Sequence, residues 1–112
     1  MSSLVWVVER ADKRMVAAVA SLLNNEDHWQ IRQTAINSLA QLVDQGDQTI
    51  IGAVAARLED VDWPVRGAAI DALAQLAERG DSGVVAHLLA CLEDCAPYVR
   101  CAAAEQLAKV AR

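Results

Sequence analysis

The chain has 112 residues, which fits one domain, and 54 % of them are hydrophobic, which argues against disorder. Ten Lys and Arg face fifteen Asp and Glu, a net charge of −5, so the clustered positive charge that nucleic acid or an anionic membrane requires is missing. No apolar run reaches the ~18 residues of a bilayer span. Three cysteines, bunched at positions 91, 95 and 101, do not make a disulfide framework and point to a reducing, cytoplasmic setting.

In chain order, residues 1–11 read as a single helix. Leu4-Val5-Trp6-Val7-Val8 is apolar on nearly every side, and Leu4–Asp12 aligns with Leu73–Asp81 further along. The segment therefore looks like the second half of a repeat. A capping helix should carry a polar outer face, and this one does not. Two readings follow: self-association through Leu4, Trp6 and Val7 to give a homodimer, or a repeat array that continues before this point.

Three helical pairs follow, at residues 12–46, 47–80 and 81–112. The offset of 34 from Trp29 to Trp63 brings ten of nineteen positions between Trp29–Asp47 and Trp63–Asp81 into identity. A further step lands on Val99, Arg100, Ala103, Leu107 and Ala108. The second helix of each pair carries one apolar stripe at helical spacing: Ile31, Ala35, Leu39 and Leu42; then Val65, Ala69, Leu73 and Leu76; then Val99, Ala103, Leu107 and Val110. The first helices are shorter and carry Val19 with Leu23, Val54 with Leu58, and Leu88 with Leu92. Gly46-Asp47 and Gly80-Asp81 close one helix and cap the next, and Pro64 suits a first helical turn. The predicted fold is all-α: an α-solenoid of three hairpins plus an N-terminal helix, about seven helices.

The recurring pattern is an acid, four residues, Val/Ile-Arg, two residues, Ala, three residues, Leu. It runs Glu26…Ile31-Arg32…Ala35…Leu39, Asp60…Val65-Arg66…Ala69…Leu73 and Asp94…Val99-Arg100…Ala103…Leu107. This resembles the short HEAT-like repeats of phycobilisome bilin lyases. The resemblance implies that turn acids and helix arginines bond within and between neighbouring repeats, through Arg32, Asp60, Arg66, Asp94 and Arg100. The first copy carries one extra residue between its helices, so either Glu26 or Asn25 stands at its turn position.

Three surfaces are candidate sites. The turn edge holds seven of the fifteen acids, among them Asp62, beside Trp29, Trp63 and Tyr98. Acids with aromatics suit a basic protein or peptide. The alternative is structural: the acids complement helix dipoles and each Trp covers its own repeat. The face of the second helices offers a groove through Gln33, Asn37, Gln41, Gly67, Asp71, Gln75, Cys101 and Glu105. His87, Cys91, Cys95 and Cys101 form a weak candidate for zinc, since their spacing is no standard zinc pattern. The equivalent positions in the middle repeat are Ala53, Arg57, Val61 and Gly67, and reduced cysteine commonly serves as small apolar filler.

No nucleophile–base pair and no phosphate loop stands out. HEAT-like deoxyhypusine hydroxylases carry His-Glu metal pairs, and this sequence has none. The expected function is a non-enzymatic protein-interaction module that needs no cofactor. The alternatives are a lyase-like or chaperone-like accessory protein for a cofactor, implied by the resemblance alone, and a Cys/His metal binder.

Overall fold

The structure, a computed structural model, describes residues 13–110. The helix expected over residues 1–11, and with it Leu4, Trp6 and Val7, lies outside the described residues. Among the described residues there are six α-helices and no strand. They are α1 (Lys13–Ser21), α2 (Trp29–Leu42), α3 (Gln48–Ala56), α4 (Trp63–Leu76), α5 (Ser82–Cys91) and α6 (Pro97–Val110). One turn of 3₁₀ helix extends α1 at Leu22–Asn24, and another extends α3 at Arg57–Glu59.

The punctuation has a local cause in each case. Gly46 and Gly80 sit at φ +85° and +79°, a conformation that costs a side-chain-bearing residue strain. The next residue then caps the following helix: Asp47 Oδ1 accepts from the Ile50 N–H, and Asp81 Oδ1 accepts from the Val84 N–H. Pro64 occupies the first turn of α4, where a missing N–H costs nothing.

Each long helix packs against the short one before it, and α2, α4 and α6 lie side by side, α4 in the middle. The predicted stripes form the core. Ala35, Leu39, Val65, Ala69, Leu73, Leu76, Val99 and Ala103 are all buried, as are Val54 and Leu88 from the short helices. Leu42, Leu107 and Val110 are only half-buried. A second set, Ile36, Ala40, Ala68, Ile70 and Ala72, is also buried on the long helices. Small side chains at such positions let neighbouring helices approach closely. The result is a slab, 45 × 37 × 19 Å, with the interhelical turns arrayed along its edges.

Candidate partner-binding surface

The starts of the three long helices are tied together by arginine. Arg32 donates from Nε to Asp60 Oδ2 at 2.7 Å and from Nη2 to Asp60 Oδ1 at 3.0 Å, reaching into the next hairpin's turn. Its Nη1 donates backward to the Asn25 carbonyl at 2.6 Å, inside its own hairpin. Arg66 repeats the arrangement, with Nε and Nη2 on Asp94 at 2.9 and 3.0 Å and Nη1 on the Asp60 carbonyl at 2.7 Å. Among the described residues Arg100 shows the backward bond alone, Nη1 to the Asp94 carbonyl at 2.7 Å.

The turn acids also hold their own loops, since Asp60 Oδ1 accepts from the Asp62 N–H and Asp94 Oδ1 from the Ala96 N–H. In the first hairpin Asn25, not Glu26, fills that position: its Oδ1 accepts from the Asp27 and His28 N–H groups. An amide oxygen serves the loop as well as a carboxylate does.

Burial works against the charge of Asp60, but the Arg32 bonds, the Asp62 N–H and the nearby Arg32 and Arg57 charges outweigh it. The Asp60 carboxyl is held below its usual range. Asp94 behaves the same way: burial raises it, and Arg66 with the Ala96 N–H brings it below the usual range.

The turn edge is therefore less acidic than the sequence suggests. Asp60 and Asp94 are claimed by the ladder, and Asp62 Oδ2 accepts from Arg32 Nη2 at 2.9 Å. Asp62 nonetheless keeps 39 % of its side chain exposed. It shares a depression of about 600 Å³ with Trp29, Gln33, Trp63, Pro64 and Tyr98.

The three aromatics do not play equivalent parts. Trp29 is half-buried against the core. Trp63 and Tyr98 are about half exposed, with ring centroids 5.1 Å apart and planes tilted by 57°. Gly67 is what lets Tyr98 lie there, because a Cβ at position 67 would stand 2.5 Å from Tyr98 Cε2. Gly67 is accordingly buried beneath a ring and does not line the groove as the sequence reading placed it.

The groove along the long helices is partly occupied with internal bonds. Gln75 Nε2 donates to the Ala40 carbonyl at 3.2 Å, and Gln45 Nε2 donates to the Gln75 carbonyl at 3.2 Å. Asp71 accepts from Gln106 Nε2 at 3.1 Å, and burial raises its carboxyl above the ordinary value despite that bond. Asn37, Gln41 and Glu105 are exposed.

The candidate zinc set is not assembled. Cys91 is buried in the core, its thiol pushed up by burial, while His87, Cys95 and Cys101 are exposed. Among the described residues no three His, Cys, Asp or Glu side chains are grouped to hold a metal ion. The cause is geometric: Cys91 points into the core, and Cys95 Sγ faces Arg66 Nη2 at 3.8 Å. No helix among the described residues is long and apolar enough to cross a membrane.

Arg–Asp rungs join successive hairpins in register with the 34-residue period. A profile of HEAT repeats matches residues 16–108. The chain belongs to the HEAT-repeat family. The match covers all three hairpins and is to HEAT repeats as a class; it does not single out the bilin-lyase variety. A search of the curated proteins returned no match. HEAT repeats commonly mediate protein–protein interaction.

Proposed function

We propose that these HEAT repeats form a non-enzymatic interaction module that docks a basic segment of a partner protein on the Trp63–Tyr98 edge. The observation that carries this reading is the exposed, tilted ring pair held open by Gly67, beside the partly exposed Asp62 carboxylate. Two exposed aromatic faces give a partner side chain contact area at little entropic cost. A Lys or Arg placed over such rings gains about 0.5–1 kcal/mol at an exposed site. Asp62 supplies opposite charge on the same rim, and the net charge of −5 favours the approach of a cation. The groove over α4 and α6 supports docking less well, because Gln75 and Asp71 are already bonded within the protein.

The test uses two peptide probes of equal length, alternating Lys-Leu and alternating Glu-Leu, titrated while tryptophan fluorescence is followed. The Lys-Leu probe is expected to bind and the Glu-Leu probe to fail. The double variant Trp63→Ala/Tyr98→Ala is expected to weaken binding at least about tenfold, the loss of one or two aromatic anchors, and to retain the wild-type circular dichroism spectrum. Binding of both probes alike, or undiminished binding by the double variant, refutes the reading.

A further inference from the structure

Six residues line the depression on the aromatic edge: Trp29, Gln33, Asp62, Trp63, Pro64 and Tyr98. Three of them are aromatic. Trp29 and Trp63 start the neighbouring helices α2 and α4, and Tyr98 reaches across from α6 over Gly67. Tilted by 57°, Trp63 and Tyr98 do not lie face to face, and about half of each stays exposed. The negative faces of such rings attract a cation, the more strongly the less water remains around it.

Several polar atoms of these residues are already committed within the protein. Asp62 Oδ2 accepts from Arg32 Nη2 at 2.9 Å, and the Asp62 carbonyl accepts from the Val65 and Arg66 N–H groups. Gln33 Nε2 donates to the Pro64 carbonyl at 3.5 Å. A primary ammonium brings three N–H donors that lose water when it settles on the rings, and each donor left without an acceptor costs free energy. A trimethylated ammonium keeps the charge and has no N–H to satisfy. Its methyl groups gain apolar contact with the ring faces.

Asp62 also lines a second depression, of about 900 Å³, with Asn25, Glu26, Arg57, Glu59 and Val61 among its other residues. Glu26 and Glu59 are exposed, and Val61 is 88 % exposed. The two depressions adjoin at Asp62 and together make a strip along the turn edge, a shape that suits an extended segment better than an isolated small molecule. The exposed carboxylates of the second depression complement ordinary Lys and Arg. Resting on the docking of a basic segment proposed above, we infer that the residue seated on Trp63 and Tyr98 is a methylated lysine of the partner protein, with unmodified basic residues of the same segment beside Glu26 and Glu59.

The experiment titrates the full chain by calorimetry with three probes: the Lys-Leu peptide, the same peptide with its central lysine trimethylated, and choline chloride. The two peptides have equal length and charge. The methylated peptide is expected to bind at least about fivefold tighter than the unmodified one. Choline, a free quaternary ammonium, is expected to bind at least about tenfold more weakly than the methylated peptide, because it makes no contact with the rest of the strip. Trp63→Leu and Tyr98→Leu each keep an apolar side chain and remove a π face, and in each the ratio of the two peptide affinities should fall to about one. The wild-type ratio needs no variant, so a variant that fails to fold does not shield the inference. Equal wild-type affinity for the two peptides, a ratio unchanged in both folded variants, or choline as tight as the methylated peptide overturns it. In each of these cases binding of the unmodified peptide still upholds the docking of a basic segment, whereas failure of both peptides to bind removes both readings.

Discussion

At the residue scale, the ladder concentrates the chain's buried charge. Arg32 and Asp60 are 6 % and 8 % exposed, and each satisfies the other with two bonds. Removing one partner of a buried pair leaves the other uncompensated, which typically costs about 3–5 kcal/mol. Arg32→Met should therefore destabilise by about 3 kcal/mol, read from urea unfolding. Arg66→Met should cost less, because the Arg66 and Asp94 side chains are each 12 % exposed. Because Asp60 and Asp94 titrate below their unfolded values, the stability they confer is complete above the unfolded carboxylate pKa near ~4. It is lost as the pH falls from there through their folded values. Asp60→Asn should lower stability at pH 7 and flatten the acid limb of the stability–pH curve below about pH 4. An acid limb as steep as the wild type's would show that Asp60 is not held by Arg32.

The participants in this ladder were legible in the sequence, because acid and arginine recur with the period. Their pairing was not. Arg32 has an Asn25–Glu26 turn behind it and an Asp60 turn ahead, and spacing alone does not say which it grips. The structure gives it the carbonyl behind and the carboxylate ahead. The attachment of Asp62 to Arg32 was likewise hidden, since it depends on how closely two turns approach.

At the element scale, the long helices were readable from their stripes because a 3.6-residue period with Leu, Val and Ala leaves one apolar face. What the stripe omitted was the flank through Ile36 and Ile70, fully buried although it lies off the main face. A helix with neighbours on several sides buries more than one stripe, and only the stacking reveals which. Leu73, in the middle helix and fully buried, should be the most sensitive position of its stripe. Leu73→Ala is expected to cost about 3–4 kcal/mol in chemical denaturation. Leu107→Ala, half-buried on α6, should cost clearly less.

The aromatic edge was half legible at this scale. Trp29 and Trp63 align in the repeat, yet it is Tyr98, one step off that register, that meets Trp63. The signal was Gly67, the one position of the triplet Gln33, Gly67 and Cys101 without a side chain. Gly67→Ala should remove about 1 kcal/mol of helix penalty while driving the Tyr98 ring off Trp63. Folding stability should thus change little while the Lys-Leu probe binds more weakly, and unchanged binding would argue against the ring pair as the anchor.

At the scale of the whole molecule, the stack is joined at both ends of its long helices. Arginine rungs tie the starts, and Gln45, Gln75 and the Gly46 N–H to the Leu76 carbonyl tie the finishes. The finish bonds join α2 and α4, while the Arg66–Asp94 rung ties the turn before Tyr98 to the start of α4, beside Trp63. The cysteines do not act as a group: Cys91 fills core, Cys95 Sγ lies 3.8 Å from Arg66 Nη2, and Cys101 is exposed.

The most direct measurement is a chemical-shift map of the ¹⁵N-labelled chain titrated with the Lys-Leu peptide. Shifts are expected to cluster at the Trp63 indole N–H and the backbone of Asp62, Gly67 and Tyr98, with Asn37, Asp71 and Gln75 unmoved. Shifts centred on Asn37, Asp71 and Gln75, or none at all, would contradict docking on the aromatic edge.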